Sequence, residues 1–590
     1  MLHKLAKIGQ IVPASMFPKN ELGLNFDYKV EEILFINFRK TDSQWQFSDI
    51  QREEYASSKA DKYLMKTAKG RATSEFPAVD VYKSKDLLND DGEISFTESK
   101  IGKKLVFILR KQETLFKDII EALETSTEIS EQLSESIGEI RRFTLSIKLD
   151  NEYLGDSSYM KEMLEEYKAD AGNPDYYTYK NKVYKGRDKI CSITCKPSSE
   201  VWGYASPYKF YAVKTELGSV PGGFDAKQAW KNFPVSPEAA DWLDKGNQFV
   251  QEYLRFRFCG YNYFLLPERV LSRGDDSSYL EYLQDFKKFN IGEDGKVNKS
   301  LEEDLLELIT TDEGNAISYS LFFYEENNSE FKILASVDDV FPSYASTILK
   351  AKEAAEDHDI FKGYKLRKDE IGDLKFTFRN LKEFIPEQGA FLEVVRSIFM
   401  QKNVDFSFLM HKIMHKVQAA YARDELYPTT ILRAFIILKV LNRLNIITQP
   451  QQSNPIIMEN KYEAFFEEHN DFFNTPEKKA VFLTGVLAQF LLDIQYQERN
   501  ATPFRSRLNS LKLNEKILKR LLPEIIAKLE QYGKNYYKAL ETSISEYLVN
   551  SDLSDLKDDE ISFYFTLGMN LNKRFKPDKA ERKQGLEELF

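Results

Sequence analysis

The spacing of apolar residues changes along the chain. Glu32 to Phe38 (EILFINF) predicts a buried strand and Leu105 to Leu109 another, whereas Leu115 to Leu123 (LFKDIIEAL) has helical spacing. Between Tyr176 and Lys231 long periodic runs give way to Tyr, Lys, Gly and Pro, the pattern of an inserted module of short strands and loops. Pro237 to Leu254 predicts a helix, and the aromatic run Gly260 to Pro267 follows it. Ser318 to Tyr324 with Glu330 to Leu334 reads as a strand pair. Beyond about Glu387 the spacing is almost entirely helical: Ile431, Ala434, Phe435, Leu438 and Leu441 form one apolar stripe. Leu518, Leu521, Leu522, Ile525, Leu529 and Tyr532 form another, in which Pro523 and Gly533 predict a break and a loose end. The polar segment Thr448 to Pro455 carries two prolines and reads as a linker, with Met458 just after it. The expected fold class is α+β. A mixed α/β body (1–175) carries an insertion (176–245) and an α/β continuation (246–386), and a helical connector (387–457) leads to an all-α bundle (458–590).

Composition then narrows the class. A chain of 590 residues with 42% hydrophobic and 30% charged residues has core enough for several domains and excludes disorder or a disulfide scaffold. Its three cysteines and a first segment without an apolar stretch predict a reducing, cytoplasmic setting. Neither Val481 to Ile494 nor Ile431 to Leu441 reaches the roughly 20 uninterrupted apolar residues of a membrane span. The net charge of −11 argues against nucleic acid by bulk alone. Yet Tyr176 to Lys231 nets +6 and Arg499 to Lys538 nets +7, which leaves −24 on the other 494 residues. The charge is segregated.

Sites of chemistry are scarce. His411 and His415 have the one-turn spacing of a zinc pair, but Lys412 stands where a glutamate should follow the first histidine, so a plain helix face is the better account. His358-Asp359 is an HD dipeptide in a chain with only five histidines, too few for a phosphohydrolase metal set. Asn89, Asp91, Gly92 and Glu98 match parts of a calcium loop whose first ligand would be Leu87, so a hairpin turn at Asp91-Gly92 is expected instead. Pro221-Gly-Gly-Phe224 lacks the spacing of a nucleotide-binding loop. No cofactor, metal or catalytic set is expected.

Cys191-Ser-Ile-Thr-Cys195 resembles half of a zinc ribbon, and Ser236 and Ala239 stand where the second cysteine pair would fall. Together with Tyr208-Lys-Phe-Tyr211, Pro221-Gly-Gly-Phe224 and Trp230-Lys-Asn-Phe-Pro-Val235, this segment resembles the large subunit of the type I-B CRISPR Cascade complex. Gly260 to Pro267, Phe504-Arg-Ser-Arg-Leu508 and Tyr564-Phe-Thr-Leu-Gly568 extend the likeness, which covers about Cys191 to Pro267 and Ala480 to Leu571. With two thiols in place of four, the expected insertion is a metal-free, degenerate zinc-ribbon-like module packed by Trp202, Tyr204, Tyr211 and Trp230.

The resemblance implies a non-enzymatic subunit. It would recognise a short protospacer-adjacent motif in duplex DNA, help open the duplex, bind the displaced strand and dock a helicase-nuclease, while guide RNA reads sequence by pairing. Its implied partners are the guide RNA with backbone and other Cascade subunits, and target double-stranded DNA. The C-terminal bundle resembles the small subunits and is expected as a separate copy from an internal start at Met458. Cations that neutralise phosphates supply affinity without sequence information. The candidates are Arg505, Arg507, Lys512, Lys516, Lys519 and Arg520 in the bundle, with Phe504 for stacking, then Lys209, Lys214, Lys227 and Lys231 in the insertion, and Lys66, Lys69 and Arg71 in the first domain. Two competing readings are a metal-dependent nuclease or phosphohydrolase, and the targeting subunit of a transposon-associated CRISPR complex.

Overall fold

The computed structural model describes residues 1–13, 15–17, 32–56, 59–64, 76–81, 87–89, 95–137, 143–161, 178–179, 182–183, 185–203, 226–270, 276–289, 305–306, 309–310, 315–327, 330–367, 370–423, 427–447 and 460–577. The chain divides into two compact units: one spans Ile8–Lys245, the other Gly246–Phe590 together with His3–Lys7.

After the N-terminal helix α1 (Leu2–Ile11), the first unit is built on a mixed sheet. Its strands are β1 (Glu32–Thr41), β2 (Gln44–Glu54), β3 (Val79–Val81), β4 (Phe143–Leu149) and β5 (Glu152–Tyr153). The order is β2-β1-β4-β3 with β5 on β4; β1 and β4 run parallel and the other pairs antiparallel. Because side chains alternate along a strand, β1 feeds two layers. Leu34, Ile36 and Phe38 join a core with Leu105, Leu109, Ile119 and Leu123, while Ile33 and Phe35 pack with Tyr63 of the one-turn helix α2 (Ala60–Tyr63). All seven residues of β4 are buried.

The helices of the first layer are α3 (Lys100–Leu109), α4 (Glu113–Thr125) and α5 (Thr127–Ile137). Leu105 to Leu109 therefore lies in a helix, not the expected strand. A short apolar run reads alike in both, and here Ser99 decides the outcome by capping α3 through Gly102 N–H, with Ile101, Leu105, Ile108 and Leu109 on the buried face. The insertion follows as two small hairpins, β6 (Thr178–Tyr179) with β7 (Lys182–Val183) and β8 (Lys185–Ile190) with β9 (Pro197–Trp202), then helix α6 (Pro237–Tyr253).

The second unit opens with an antiparallel sheet in chain order. Its strands are β10 (Arg255–Phe258), β11 (Tyr261–Arg269), β12 (Ile317–Asn327) and β13 (Glu330–Val340), with α7 (Asp276–Phe289) between β11 and β12. The strand pair is present as expected in β12 and β13, and Tyr261 to Pro267 of the aromatic run lie in β11. Lys4 of α1 ties to this sheet through Glu268 Oε2 at 3.0 Å and Asp339 Oδ1 at 2.6 Å. Helix α8 (Pro342–Glu356) and the hairpin β14 (Tyr364–Arg367) with β15 (Glu370–Gly372) follow, and from there the chain is helical: α9 (Phe378–Phe384), α10 (Gln388–Phe399), α11 (Phe406–Ala422), α12 (Tyr427–Arg443), α13 (Glu463–Glu468), α14 (Pro476–Arg499), α15 (Glu515–Gln531), α16 (Lys538–Val549) and α17 (Asp558–Leu571).

Helix α14 is the axis of this region and is buried on nearly every face. Gly485 on α14 and Gly568 on α17 let two backbones meet, for a Cβ on either would fall within 2.0 Å of the other helix's carbonyl oxygen. Helix α15 runs through Pro523 without the expected break, while Gly533, at φ +61°, follows it in a left-handed turn as anticipated. Pro523 lies on the exposed side, where the hydrogen bond it cannot make is to the carbonyl of solvent-facing Lys519. Among the described residues no helix is long and apolar enough to cross a membrane. The expected turn at Asp91-Gly92, the linker Thr448–Pro455 and Met458 lie outside the described residues.

Candidate nucleic-acid interface

The basic segment of the bundle is a short chain of anchors and outward cations. Phe504, Leu508, Leu511 and Leu513 are buried, and between them Arg507 and Lys512 are exposed. Leu513 is fixed through both backbone groups, its N–H donating to Ser562 Oγ at 2.9 Å and its carbonyl accepting from the same hydroxyl at 3.2 Å. Asn514 then caps α15 by accepting from Ile517 N–H.

The turn before it is strained. Asn509, Ser510 and Leu511 all have left-handed φ, at 47°, 53° and 62°, a conformation that costs a branched residue such as leucine about 1 kcal/mol or more. Asn509 Nδ2 donates to the Lys512 carbonyl at 2.9 Å and Gln418 Nε2 to that of Leu511 at 3.2 Å, which holds the turn in place.

Arg505 is the best-positioned cation. Its Nη2 donates to the Tyr421 carbonyl at 2.9 Å and its guanidinium lies 4.3 Å from the centre of the Tyr421 ring. The stacked pair separates two open cavities. One, of about 300 Å³, is lined by Gln489, Asp493, Tyr496 and Thr502; the other, of about 500 Å³, by Ser506, Asn509 and Ser510. Tyr496 is 60% exposed at the first. Phe504, expected to stack, is only 4% exposed: its ring belongs to the core and its N–H donates to Gln495 Oε1. Among the described residues Tyr496 is the exposed aromatic at the groove, while Tyr421, 5% exposed, lies beneath the Arg505 guanidinium, and their sequence neighbourhood gave no sign of either.

The remaining candidates divide by partner. Lys519 is bonded to Glu515 at 2.5 Å and Arg520 to Glu524 at 3.4 Å, both pairs one helical turn apart on α15. Arg507, Lys512 and Lys516 are exposed and, among the described residues, have no side-chain partner. In the insertion, Lys231 is exposed, donates to Gln228 and lies 5.7 Å from the Trp230 ring centre. Lys227 sits on the short 3-10 helix Ala226–Lys231, and its side chain is outside what is described. Lys209, Lys214, Lys66, Lys69 and Arg71 lie outside the described residues.

Around the cysteines, the chain turns between β8 and β9 so that Cys195 N–H donates to the Cys191 carbonyl at 2.9 Å. Ser236 N–H approaches Cys191 Sγ at 3.3 Å, and Ser236 Oγ accepts from Ala239 N–H at the start of α6. The two positions where the resemblance has cysteines thus serve as a helix cap and a buried alanine. Burial would raise the Cys191 thiol, but hydrogen bonds from Ser236 and Thr194 outweigh it and lower the pKa. Trp230 packs face to Gly186, where a Cβ would lie 2.6 Å from the ring, and Trp202 is 8% exposed. Tyr204 and Tyr211 lie outside the described residues.

The histidines separate. His411 is 70% exposed beside Asp559, His415 is exposed, and Asp359 is 82% exposed near Lys362. His358 instead meets Glu468 and His469, the one group of three metal-capable side chains found among the described residues. His469 is fully buried, and burial, then Lys439, His358 and Arg574, push its pKa down to about 3.

Three family models match the chain in order. They are the N-terminal domain of the CRISPR-associated protein TM1802 over residues 1–166, its central domain over 188–340 and its C-terminal domain over 376–583. A mixed α/β body leading to a helical end is thus the architecture of a CRISPR system protein. The chain belongs to the TM1802 family of CRISPR-associated proteins. No curated protein matches it.

Proposed function

We propose that the chain is the non-catalytic large subunit of a type I-B CRISPR RNA-guided surveillance complex in the cytoplasm. In this reading guide RNA selects the target by pairing, and the chain recognises the protospacer-adjacent motif, aids duplex opening, holds the displaced strand and docks a helicase-nuclease. The observation that supports the strand-holding part is the row of Arg507, Lys512 and Lys516, exposed and unpartnered among the described residues, beside the Arg505–Tyr421 groove. Unpaired cations supply counterion release without surrendering a carboxylate, and exposed Tyr496 offers a base a stacking face. Lys519 and Arg520 contribute after exchanging their glutamates. The lysines of the insertion and Lys66, Lys69 and Arg71 serve duplex or complex contacts in the same scheme, and translation from Met458 supplies further copies of the bundle.

The test is purification of the chain from cells that carry its neighbouring genes, followed by target titration across salt. Guide RNA and a multi-copy backbone subunit are expected to accompany it; their absence overturns the reading as a whole. Neutralising Arg507, Lys512 and Lys516 together is expected to flatten the log–log salt dependence of single-strand binding by about 2, at roughly 0.7 per phosphate contact. An unchanged slope in the assembled complex rejects this strand-holding surface.

A further inference from the structure

The cluster of His358, Glu468 and His469 shares no residue with the lining of the basic groove and goes beyond the nucleic-acid reading. His469 is 0% exposed, and among the described residues neither of its ring nitrogens has a hydrogen-bond partner. Buried polar atoms without partners are uncommon in folded proteins and mark a missing ligand, water or ion. The ring packs edge-on among Phe465 at 4.7 Å, His358 at 5.0 Å and Phe435 at 6.1 Å, away from bulk solvent. What it faces is a carboxylate and a second imidazole. His469 Nε2 is 3.9 Å from Glu468 Oε1, His358 Nδ1 is 3.0 Å from the same oxygen, and the three donor atoms all lie within 4.8 Å of one another.

We propose that His358, Glu468 and His469 form a binding site for a divalent transition metal, with zinc as the ion best matched to two imidazoles and a carboxylate. Nitrogen and oxygen ligands sit about 2.0–2.2 Å from such an ion, which puts neighbouring donors of a tetrahedral centre about 3.3–3.6 Å apart. The two separations from Glu468 bracket that value. Glu468 is 52% exposed, so the fourth position opens to solvent for water or an incoming ligand. His358 precedes the Thr448–Pro455 linker and Glu468 and His469 follow it, so one ion joins chain from both sides of that segment.

Charged neighbours set the terms of binding. Lys439 Nζ is engaged by both oxygens of Asp471, at 3.1 and 3.2 Å, and Arg574 adds positive charge near His469. Arg443 Nη2 lies 3.4 Å from His358 Nε2. Without metal, that arrangement suits an imidazole that donates from Nδ1 to Glu468 and accepts at Nε2. A metal on Nδ1 moves the N–H to Nε2, so Arg443 must swing away, and this exposed arginine competes with the ion.

The full chain, stripped with chelator, is titrated with Co²⁺ and then back-titrated with Zn²⁺, with visible ligand-field absorption as the readout. One Co²⁺ per chain is expected, with four-coordinate bands, no thiolate charge-transfer band, and displacement by Zn²⁺. His358→Ala and Glu468→Gln are each expected to weaken binding at least tenfold and Arg443→Gln to tighten it severalfold. The Cys191→Ser, Cys195→Ser double variant should bind as the parent does. Absence of a stoichiometric band, equal binding in Glu468→Gln and parent, or loss of binding in the cysteine variant overturns the site. Glu468→Gln alters an exposed side chain and keeps the test valid if His358→Ala fails to fold.

Discussion

The crossing of α14 and α17 lets one methyl group test the packing of the bundle. In Gly568→Ala the new Cβ would sit 1.9 Å from the Phe482 carbonyl oxygen, where ordinary contact begins at 3.4 Å, so the helices must part by about 1.5 Å. The obstacle is backbone, and no rotamer change relieves it. Parting the helices loosens Phe482, Phe563, Phe565 and Leu567, all fully buried. Overpacking of this kind costs up to about 3 kcal/mol, and the better helix propensity of alanine returns about 1, for a net loss of about 2 kcal/mol. Gly389 supplies the control: it lies in α10 with nothing within 4 Å of its Cβ position, so Gly389→Ala should stabilise by about 0.5–1 kcal/mol. Because a chain of several domains does not unfold in one step, the readout is pulse proteolysis of the C-terminal bundle in urea. With m near 2 kcal/mol/M, the Gly568→Ala midpoint should fall by about 1 M. Gly485→Ala should behave alike, and the double variant should cost less than the sum, since helices already parted accept the second methyl. A Gly568→Ala midpoint at or above the parent's, or an equal fall in Gly389→Ala, refutes the close crossing.

Lys479 and Glu463 form a buried pair, 5% and 9% exposed, with Tyr547 OH also donating to the carboxylate; Lys479→Met should cost about 3–5 kcal/mol, and Lys479→Met with Glu463→Leu should recover most of it in the same proteolysis assay. Burial pushes Lys478 down to about 8 from 10.5, so below pH 8 both states hold the proton and the folded state bears the full burial cost. Above pH 8 the unfolded chain alone retains the proton, and bundle stability should rise towards pH 10 by up to about 3 kcal/mol, a rise that Lys478→Met should abolish in midpoints measured between pH 7 and 10. Gly186→Ala should push Trp230 off β8 and accelerate amide exchange in the β8–β9 hairpin while leaving the bundle's exchange unchanged.

Local pattern carried the fold as far as local pattern can. α4 was legible because its burial follows the helical period. β1, α12 and the β12–β13 hairpin were legible because the length and spacing of their apolar runs fit one element, although Ile33 to Phe38, Ala434 to Leu441 and Ile317 to Tyr324 are buried without interruption. α3 was misread because five apolar residues in a row fit either period. The parallel pairing of β1 with β4 joins residues about a hundred positions apart, and no periodicity records it. The same distance hid the metal-capable cluster, for His358 and Glu468 are 110 residues apart. A residual signal existed in Phe465, Phe466, Phe472 and Phe473, whose crowding around His469 marks that histidine as buried.

Charge was legible in amount and not in availability. The window Arg499 to Lys538 counts ten cations, but a phosphate responds to those it can reach without breaking an existing pair. The Glu515–Lys519 and Arg520–Glu524 pairs are visible in sequence as one-turn spacings, whereas Lys534 with Glu498 spans 36 residues and is not. Arg499 lies over the Tyr532 ring and Arg505 over that of Tyr421. With Lys528 donating to Gln531 at 2.7 Å and Lys538 paired with Glu541, the basic surface contracts to Arg507, Lys512 and Lys516, with Arg505 as a fixed planar face beside them. If the +7 of the window acted as a diffuse field, neutralising any three of its cations would flatten the salt dependence equally. If availability governs, neutralising Lys519, Lys534 and Lys538 should flatten the salt slope less than neutralising the unpartnered three, because each of the former reaches a phosphate only by leaving its glutamate and so releases few counterions to begin with.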